Sequence, residues 1–269
     1  MRIPFTQVDA FADQPFAGNP AAVMPLSRWL PDDVLLAIAA ENNLSETAFL
    51  VPLDGDPNAE FELRWFTPAA EVALCGHATM ASGHVVLSSD PDRPRVRFRT
   101  RRSGVLEVAR DGGAGGSYAM SLPAWVPTPR DLPAVKAALG VAADAGSLWY
   151  DTGYALVLLP DEAAVRALRP NFRALAAEGD LVVIASAPGD STDVVSRVFV
   201  PAFHIDEDPV TGSAHAVMVP YWAERLGRTE MTAFQASARG GRLGCRLEGD
   251  RVVLTGGCVT VVEGAFLLP

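Results

Sequence analysis

The chain is poor in basic residues, cysteine and histidine, and it has no long apolar run. Lys and Arg number 22 against 32 Asp and Glu, a formal net charge of −10 over 269 residues. Nucleic acid is thereby excluded as an expected partner, since neutralising phosphates needs clustered Lys and Arg. The densest basic run, RVRFRTRRSG at 95–104, alternates with Val96 and Phe98 and reads as a strand with one solvated face. Three cysteines, Cys75, Cys245 and Cys258, at long spacings give neither a disulfide framework nor a zinc motif. The histidines are His77, His84, His204 and His215, with no HxxxH or HExxH pair. On a helix, His77 and His84 would share a face about 10 Å apart, too far to hold one ion, so no metal is expected. No apolar stretch approaches the ~18 residues of a membrane span. The opening MRIPFTQVDAFADQPF lacks a signal pattern. A soluble cytoplasmic protein with no membrane partner is the expectation.

What the chain does have is a large apolar fraction, 49%, and a pattern written twice. RWFTPAAEVALCGHATMASGHVV begins at Arg64 and RVFVPAFHIDEDPVTGSAHAVMVPYW at Arg197. Both open Arg–x–Phe–x–Pro–Ala. Both reach a glycine, a polar residue and alanine, Gly76-His77-Ala78 and Gly212-Ser213-Ala214, and the second copy carries three extra residues before its glycine. Each copy follows a strand–helix–strand pattern: NPAAVMPL, LPDDVLLAIAAENN and ETAFLVP in the first, YALVLLP, RPNFRALAAEG and DLVVIASA in the second. Each precedes a hairpin pattern, SGVLEVARDGGAGGSYAMSLP and LGCRLEGDRVVLTGG. A period of about 135 residues is domain-sized and not that of a solenoid. The expected fold is α+β: two pseudo-symmetric domains, each a curved, mostly antiparallel sheet around a central helix. The boundaries fall at 1–122 and 123–258, with 259–269 a terminal strand returning to the first domain. The Gly-rich DGGAGGS reads as a hairpin turn, and LPAWVPTPRDLP (122–133), with four prolines, as the linker.

HATMASGHVVL and SAHAVMVPYWAERLG are apolar or small on nearly every side, so each reads as a buried helix. A glycine just before such a helix suits a sharp turn and close ligand approach. The helix's first amides lack intrahelical partners and sit at the positive end of its dipole. Two such N-termini pointing into an interdomain cleft would hold a small-molecule carboxylate.

Glu46, in NNLSETAF, stands between a helix and a strand, and the second copy has only apolar residues around Leu181–Ile184. An acid present in one half alone points to proton transfer, because partial burial raises a carboxyl pKa toward neutrality. A cap or surface turn is the bland alternative. His77 is a proton shuttle or a helix-start histidine bonded to backbone. Asp208, in DEDPVTGS, is a ligand contact or a loop acid favoured by the dipole, and Ser213 a ligand contact or an N-cap. Pairing His77 with Ser213 across the repeat strengthens both. Cys75 raises a cofactor-free racemase, which needs two opposed thiols; the other half offers Asp208, Pro209, Val210 and Thr211 and no cysteine. A buried structural thiol is the competing role.

VDAFADQPFAGNPAAV, NNLSETAF, RWFTPAAEVALCGHAT and DEDPVTGSAH together resemble the phenazine-biosynthesis PhzF-like family over nearly the full chain. That family is similar in fold to diaminopimelate epimerase and proline racemase. The resemblance implies an isomerase without metal or organic cofactor, in which a glutamate moves a proton between ring carbons of a dihydro-hydroxyanthranilate. It places that glutamate at Glu46 and the family's histidine, aspartate and serine at His77, Asp208 and Ser213. Gly76, Ala78, Gly212 and Asn19 become substrate-binding positions. The first thiol position of the racemases is kept as Cys75, and the second falls at Val210. A homodimer is expected from the family. Two other classes remain: a cysteine-based epimerase or racemase of a small amino or hydroxy acid, and a non-catalytic protein that binds small carboxylates.

Overall fold

The computed structural model describes residues 1–112 and 116–268, which leaves the middle of the expected DGGAGGS turn, 113–115, outside the described residues. The chain forms two compact units, residues 1–121 with 255–269, and residues 122–254. Helices and a mixed sheet make it an α+β protein. Among the described residues no helix is long and apolar enough to cross a membrane.

The first unit runs β1 (Arg2–Ala10), β2 (Asn19–Pro25), α1 (Asp32–Asn42), β3 (Glu46–Pro52), β4 (Phe61–Phe66), β5 (Glu71–Val72), α2 (Gly76–Ser88), β6 (Arg95–Thr100), β7 (Val105–Arg110) and β8 (Ser117–Pro123), whose last two residues lie past the boundary. Strands β2 and β3 pair in parallel, Ala21 opposite Glu46, a geometry that needs a crossover, here α1. The same logic places α2 between the parallel pair β4 and β6. Strand β3 is buried at four successive positions, Thr47–Leu50. Alternation fails there because both faces are covered. Leu35, Ile38 and Ala39 of α1 pack with Met24, Phe49 and Phe66, and α2 also packs on β1, β2 and β3. Gly83 of α2 lies so close to β7 that an added Cβ would come within 2.4 Å of Val108. Strand β6 has its wet face: Val96, Phe98 and Thr100 are buried, while Arg95, Arg97 and Arg99 pair with Glu107, Glu60 and Asp56. Each of these three arginines thus meets a carboxylate. The final strand, β17 (Arg251–Leu267), pairs antiparallel with β1 from Arg2↔Leu267 to Ala10↔Cys258.

The second unit runs β9 (Thr128–Pro129), α3 (Pro133–Leu139), β10 (Ser147–Tyr150), β11 (Tyr154–Leu158), α4 (Glu162–Ala167), α5 (Phe172–Ala177), β12 (Val182–Pro188), β13 (Val194–Val200), β14 (Ile205–Asp208), α6 (Gly212–Leu226), β15 (Glu230–Gln235), β16 (Gly241–Glu248) and the first residues of β17. Its parallel pair β11–β12 is bridged by α4 and α5, and its parallel pair β13–β15 by α6. One core gathers Val135 and Leu139 of α3, Leu175 of α5, and Val157, Val183 and Phe199 of the strands.

Helix α6 contains Pro220, which has no N–H to give the carbonyl four residues back. That carbonyl, Ala216 O, accepts instead from the Trp125 N–H at 3.0 Å. One turn earlier, His215 is fully buried. Its Nδ1 lies 2.8 Å from the Thr211 carbonyl, an acceptor, so Nδ1 carries the proton. Its Nε2 has no partner among the described residues. Burial pushes its pKa down to about 4, against a weaker upward effect of the Thr211 bond. A histidine whose folded pKa lies below its unfolded value binds its proton more readily when unfolded. The stability it contributes is therefore present above about pH 6.5 and is lost as pH falls toward 4, on the order of 3 kcal/mol. Denaturant melts from pH 7 to 4.5 should show a steeper loss in the wild type than in His215→Asn, which keeps a donor for Thr211 but does not titrate. Parallel pH profiles would refute the assignment.

Candidate active site

Four polar side chains meet where three elements of the first unit begin. Asn19 starts β2, Glu46 starts β3, and Cys75 caps α2, one residue before Gly76 and two before His77. Because α2 is buried through its first two turns, its polar start needs local partners. His77 is 4% exposed, and its two ring nitrogens face different groups. Nε2 lies 3.2 Å from Glu46 Oε2. Nδ1 lies 3.1 Å from Asn19 Nδ2 and 3.5 Å from Cys75 Sγ. Behind Asn19, the Ser45 hydroxyl donates to Asn19 Oδ1 at 3.3 Å. The Glu46–His77 contact is within ion-pair range but off the line of a hydrogen bond, and neither Glu46 Oε2 nor His77 Nε2 has another partner among the described residues. Glu46 caps nothing, and its side chain keeps 15% exposure.

Charge follows from this arrangement. Burial opposes a proton on His77, while Cys75 and Glu46 favour it, and the balance raises the imidazole pKa well above its ordinary value. Burial first, and then the Glu46 charge, push the Cys75 thiol up to about 11. Cys75 is therefore a neutral thiol near pH 7. The sequence reading treated these residues singly. It missed that Glu46, Cys75 and His77 each bring one donor atom to within 4.8 Å of the others, because β2, β3 and α2 are brought side by side only by the sheet.

The other expected positions divide between the units. Asn19 and Ala78 are fully buried; the Asn19 amide reaches His77, and the Ala78 carbonyl accepts from Ser82 Oγ at 2.7 Å. The two glycines differ from the expectation. Gly76 and Gly212 are the first residues of their helices, not residues preceding them, and neither has positive φ. Ordinary helical backbone is all they require, so the sharp-turn argument fails. Ser213 is the second residue of α6 and not its N-cap, which is Thr211.

In the second unit Asp208 ends β14 and accepts from the Thr211 hydroxyl at 2.5 Å. Gln235, fully buried on β15, binds both ends of the short loop from Asp208 to Thr211. Its Oε1 accepts from the Thr211 N–H at 2.9 Å, and its Nε2 donates to the Asp208 carbonyl at 2.7 Å. Sequence reasoning passed over Gln235 altogether. Burial raises the Tyr154 phenol pKa, with Ser213 opposing and the Asp208 charge adding to it. Trp125 stacks on Tyr150 at 5.5 Å and leans on Tyr154 at 5.4 Å. By position relative to the helix, the residue that answers Cys75 is Thr211, not Val210, which is fully buried.

Both arginines of the doubled Arg–x–Phe pattern grip a carboxylate with two hydrogen bonds. Arg64 holds Glu71 at 2.7 and 2.8 Å and lies over the Phe66 ring. Arg197 holds Glu207 at 2.7 and 2.8 Å and lies over Phe199. Each clamp fixes the segment that leads into the next helix. Bidentate geometry of this kind is the strong form of the ion pair.

A family profile described as Phenazine biosynthesis-like protein matches residues 8–264. An uncharacterized isomerase of Pseudomonas aeruginosa is 48% identical over the whole of both chains. The mouse Phenazine biosynthesis-like domain-containing protein 2 is 39% identical over 99% of each. A crystal structure of a PhzF family phenazine biosynthesis protein from Enterococcus faecalis, 41% identical, superposes over all of both chains with a TM-score of 0.89. A hydroxyproline epimerase of Agrobacterium vitis, 12% identical with a TM-score of 0.64, shares the fold. The chain belongs to the phenazine biosynthesis-like family.

A thiol with a pKa near 11 and 6% exposure should resist alkylation at neutral pH, because the thiolate is the nucleophile. Iodoacetamide labelling of Cys75, read by peptide mass spectrometry, should be negligible at pH 7 and rise about tenfold per pH unit toward 10. Rapid labelling of Cys75 at pH 7 would show that the thiol is activated, contrary to this geometry.

Proposed function

We propose that the protein is an isomerase that moves a proton within a small cyclic carboxylic acid, with Glu46 as the group that takes and returns it. The observation that carries this reading is the 3.2 Å approach of Glu46 Oε2 to His77 Nε2, with neither atom committed to a structural hydrogen bond. A carboxylate in a cap or a surface turn would have such a bond. The names of the relatives, isomerase among them, support the reaction class.

In this mechanism Glu46 begins as a carboxylate stabilised by the imidazolium character of His77. It removes an activated C–H proton, and the pair holds that proton out of bulk water. Glu46 then delivers it to a second carbon of the conjugated system. The charge on His77 balances that of the carboxylate before the transfer and loses that partner afterwards. The amide of Gly76, at the start of α2, helps hold the substrate carboxylate. Acid–base catalysis of this kind contributes on the order of 10²–10⁴ in rate; positioning and fixed dipoles supply the rest. The reading needs no cofactor.

We also infer that the two units descend from one duplicated domain. Each carries a parallel strand pair with a helical crossover, an Arg–carboxylate clamp over a phenylalanine, and a buried helix opening with glycine. The racemase reading is disfavoured by the chemistry of its thiols. Cys75 is a neutral thiol near pH 7, and Thr211 stands where a partner thiol would be required.

Deuterium uptake from heavy water into a panel of cyclic and acyclic carboxylic acids, followed by NMR, tests the assignment. The wild type should label at least one cyclic acid, and Glu46→Gln should slow that labelling by at least about 10². Labelling at the wild-type rate in Glu46→Gln would remove Glu46 from the role. Tight binding of an acid by the wild type without any exchange would replace the enzyme with a carboxylate-binding protein.

A further inference from the structure

We propose that Glu46, Cys75 and His77 form a binding site for a soft divalent cation of the zinc class, and that a bound ion blocks the proton-transfer pair. Three donor types that suit such an ion, a thiol, an imidazole and a carboxylate, place one atom each within 4.8 Å of the other two. Glu46 Oε2 and His77 Nε2 are buried without a hydrogen-bond partner among the described residues. They stand 3.2 Å apart. Tetrahedral bonds of about 2.0–2.3 Å set neighbouring donors roughly 3.3–3.7 Å apart. The carboxylate and the Nε2 edge of the imidazole already meet that spacing, and the thiol, now 3.5 Å from Nδ1, must swing round to join them. The fourth position stays open to water.

The bond changes balance. Cys75 releases its S–H proton to solvent as the sulfur–metal bond forms. His77 also releases its Nε2 proton to solvent and gives the metal the lone pair left behind, and Glu46 gives one carboxylate oxygen. A dication with one thiolate and one carboxylate leaves the buried site neutral, which removes the main cost of placing charge there. The surroundings support the ligands. A metal-bound histidine needs its other ring N–H accepted, and the Asn19 amide lies 3.1 Å from Nδ1. A half-turn of that amide presents Oδ1 to Nδ1–H, and the Ser45 hydroxyl behind it serves either orientation, since it both donates and accepts. Glu46, 15% exposed, provides the route in.

Ion binding itself is independent of the catalytic reading; only the block on proton transfer rests on it. Cadmium is the probe. The wild type should bind one Cd²⁺, with an ultraviolet sulfur-to-cadmium charge-transfer band and a ¹¹³Cd resonance of a single-sulfur donor set. Cys75→Ser should abolish the band, and Glu46→Gln and His77→Asn should each weaken binding at least about tenfold. Asn19→Ala should weaken it by about 10–100-fold, as loss of a supporting hydrogen bond does. The ¹¹³Cd spectrum reads the donor set in the unaltered protein, so a variant that misfolds does not hide the answer. No sulfur band in the wild type, a band undiminished in Cys75→Ser, or equal affinity in Glu46→Gln and His77→Asn would each overturn the site. Absence of isotope exchange in metal-free protein would instead count against Glu46 as the proton carrier and leave the ion site standing.

Discussion

A helix buried on every side must begin somewhere, and its first turn brings polar groups with it. That constraint organises the first unit. Helix α2 is apolar or small enough to be enclosed by β1, β2 and β3, with Gly83 letting it lie against β7. Its amide-rich start is therefore carried into the interior. Whatever meets that start has to be polar, and the chain supplies it from the leading edges of β2 and β3. Asn19 and Glu46 are both first residues of their strands. Parallel pairing of these strands, Ala21 opposite Glu46, brings the two residues to the same end of the sheet. The polar centre is thus a by-product of how a parallel pair and a buried helix stack.

Within that centre, His77 meets different chemistry at each ring nitrogen. Glu46 at Nε2 favours a positive imidazole, while the amide at Nδ1 serves whichever state the ring adopts. The contrast with His215 is instructive. Both lie in the first turns of buried helices, but His215 has only the Thr211 carbonyl, and burial alone drives its pKa down to about 4. A thiol and a carboxylate nearby separate the raised histidine from the lowered one. The Glu46 carboxylate also helps burial push Cys75 up to about 11, so a neighbour that favours a charged His77 also keeps the thiol idle in nucleophilic chemistry.

Much of this was legible in the sequence. The doubled Arg–x–Phe–x–Pro–Ala marked the two buried helices, and the lone acid of NNLSETAF stood out because the second copy has none. Strand alternation in RVRFRT anticipated the burial of Val96 and Phe98. What could not be read was any relation set by the sheet. Ser45, Asn19 and His77 are distant in sequence and joined by strand pairing. Gln235 carries no motif, and its grip on the loop before α6 depends on β15 lying beside β13. The glycines at the helix starts were read as turn-formers, yet they adopt ordinary helical backbone. Their small size was visible in the sequence; the absence of a turn was not.

The clamps explain why the doubled motif includes an arginine at all. Each guanidinium is held by a carboxylate downstream, Glu71 or Glu207, and by the ring two residues along, Phe66 or Phe199. Lysine cannot reproduce this, because it lacks both the planar fork and the stacking face. The clamp ties the strand to the segment that must turn back before the helix. In the first copy that segment runs through β5 to Cys75; in the second it runs through β14 to Asp208 and Thr211. Three extra residues separate the proline from the glycine in the second copy, and the carboxylate moves downstream with them: Arg64 pairs seven residues on, Arg197 ten. The insertion therefore lies between arginine and acid, and the stretch from acid to helix keeps its length, Glu71 to Gly76 and Glu207 to Gly212. What is preserved is the distance from the anchored carboxylate to the helix start. The position of that start, rather than the loop leading to it, is what the arginine and its carboxylate fix.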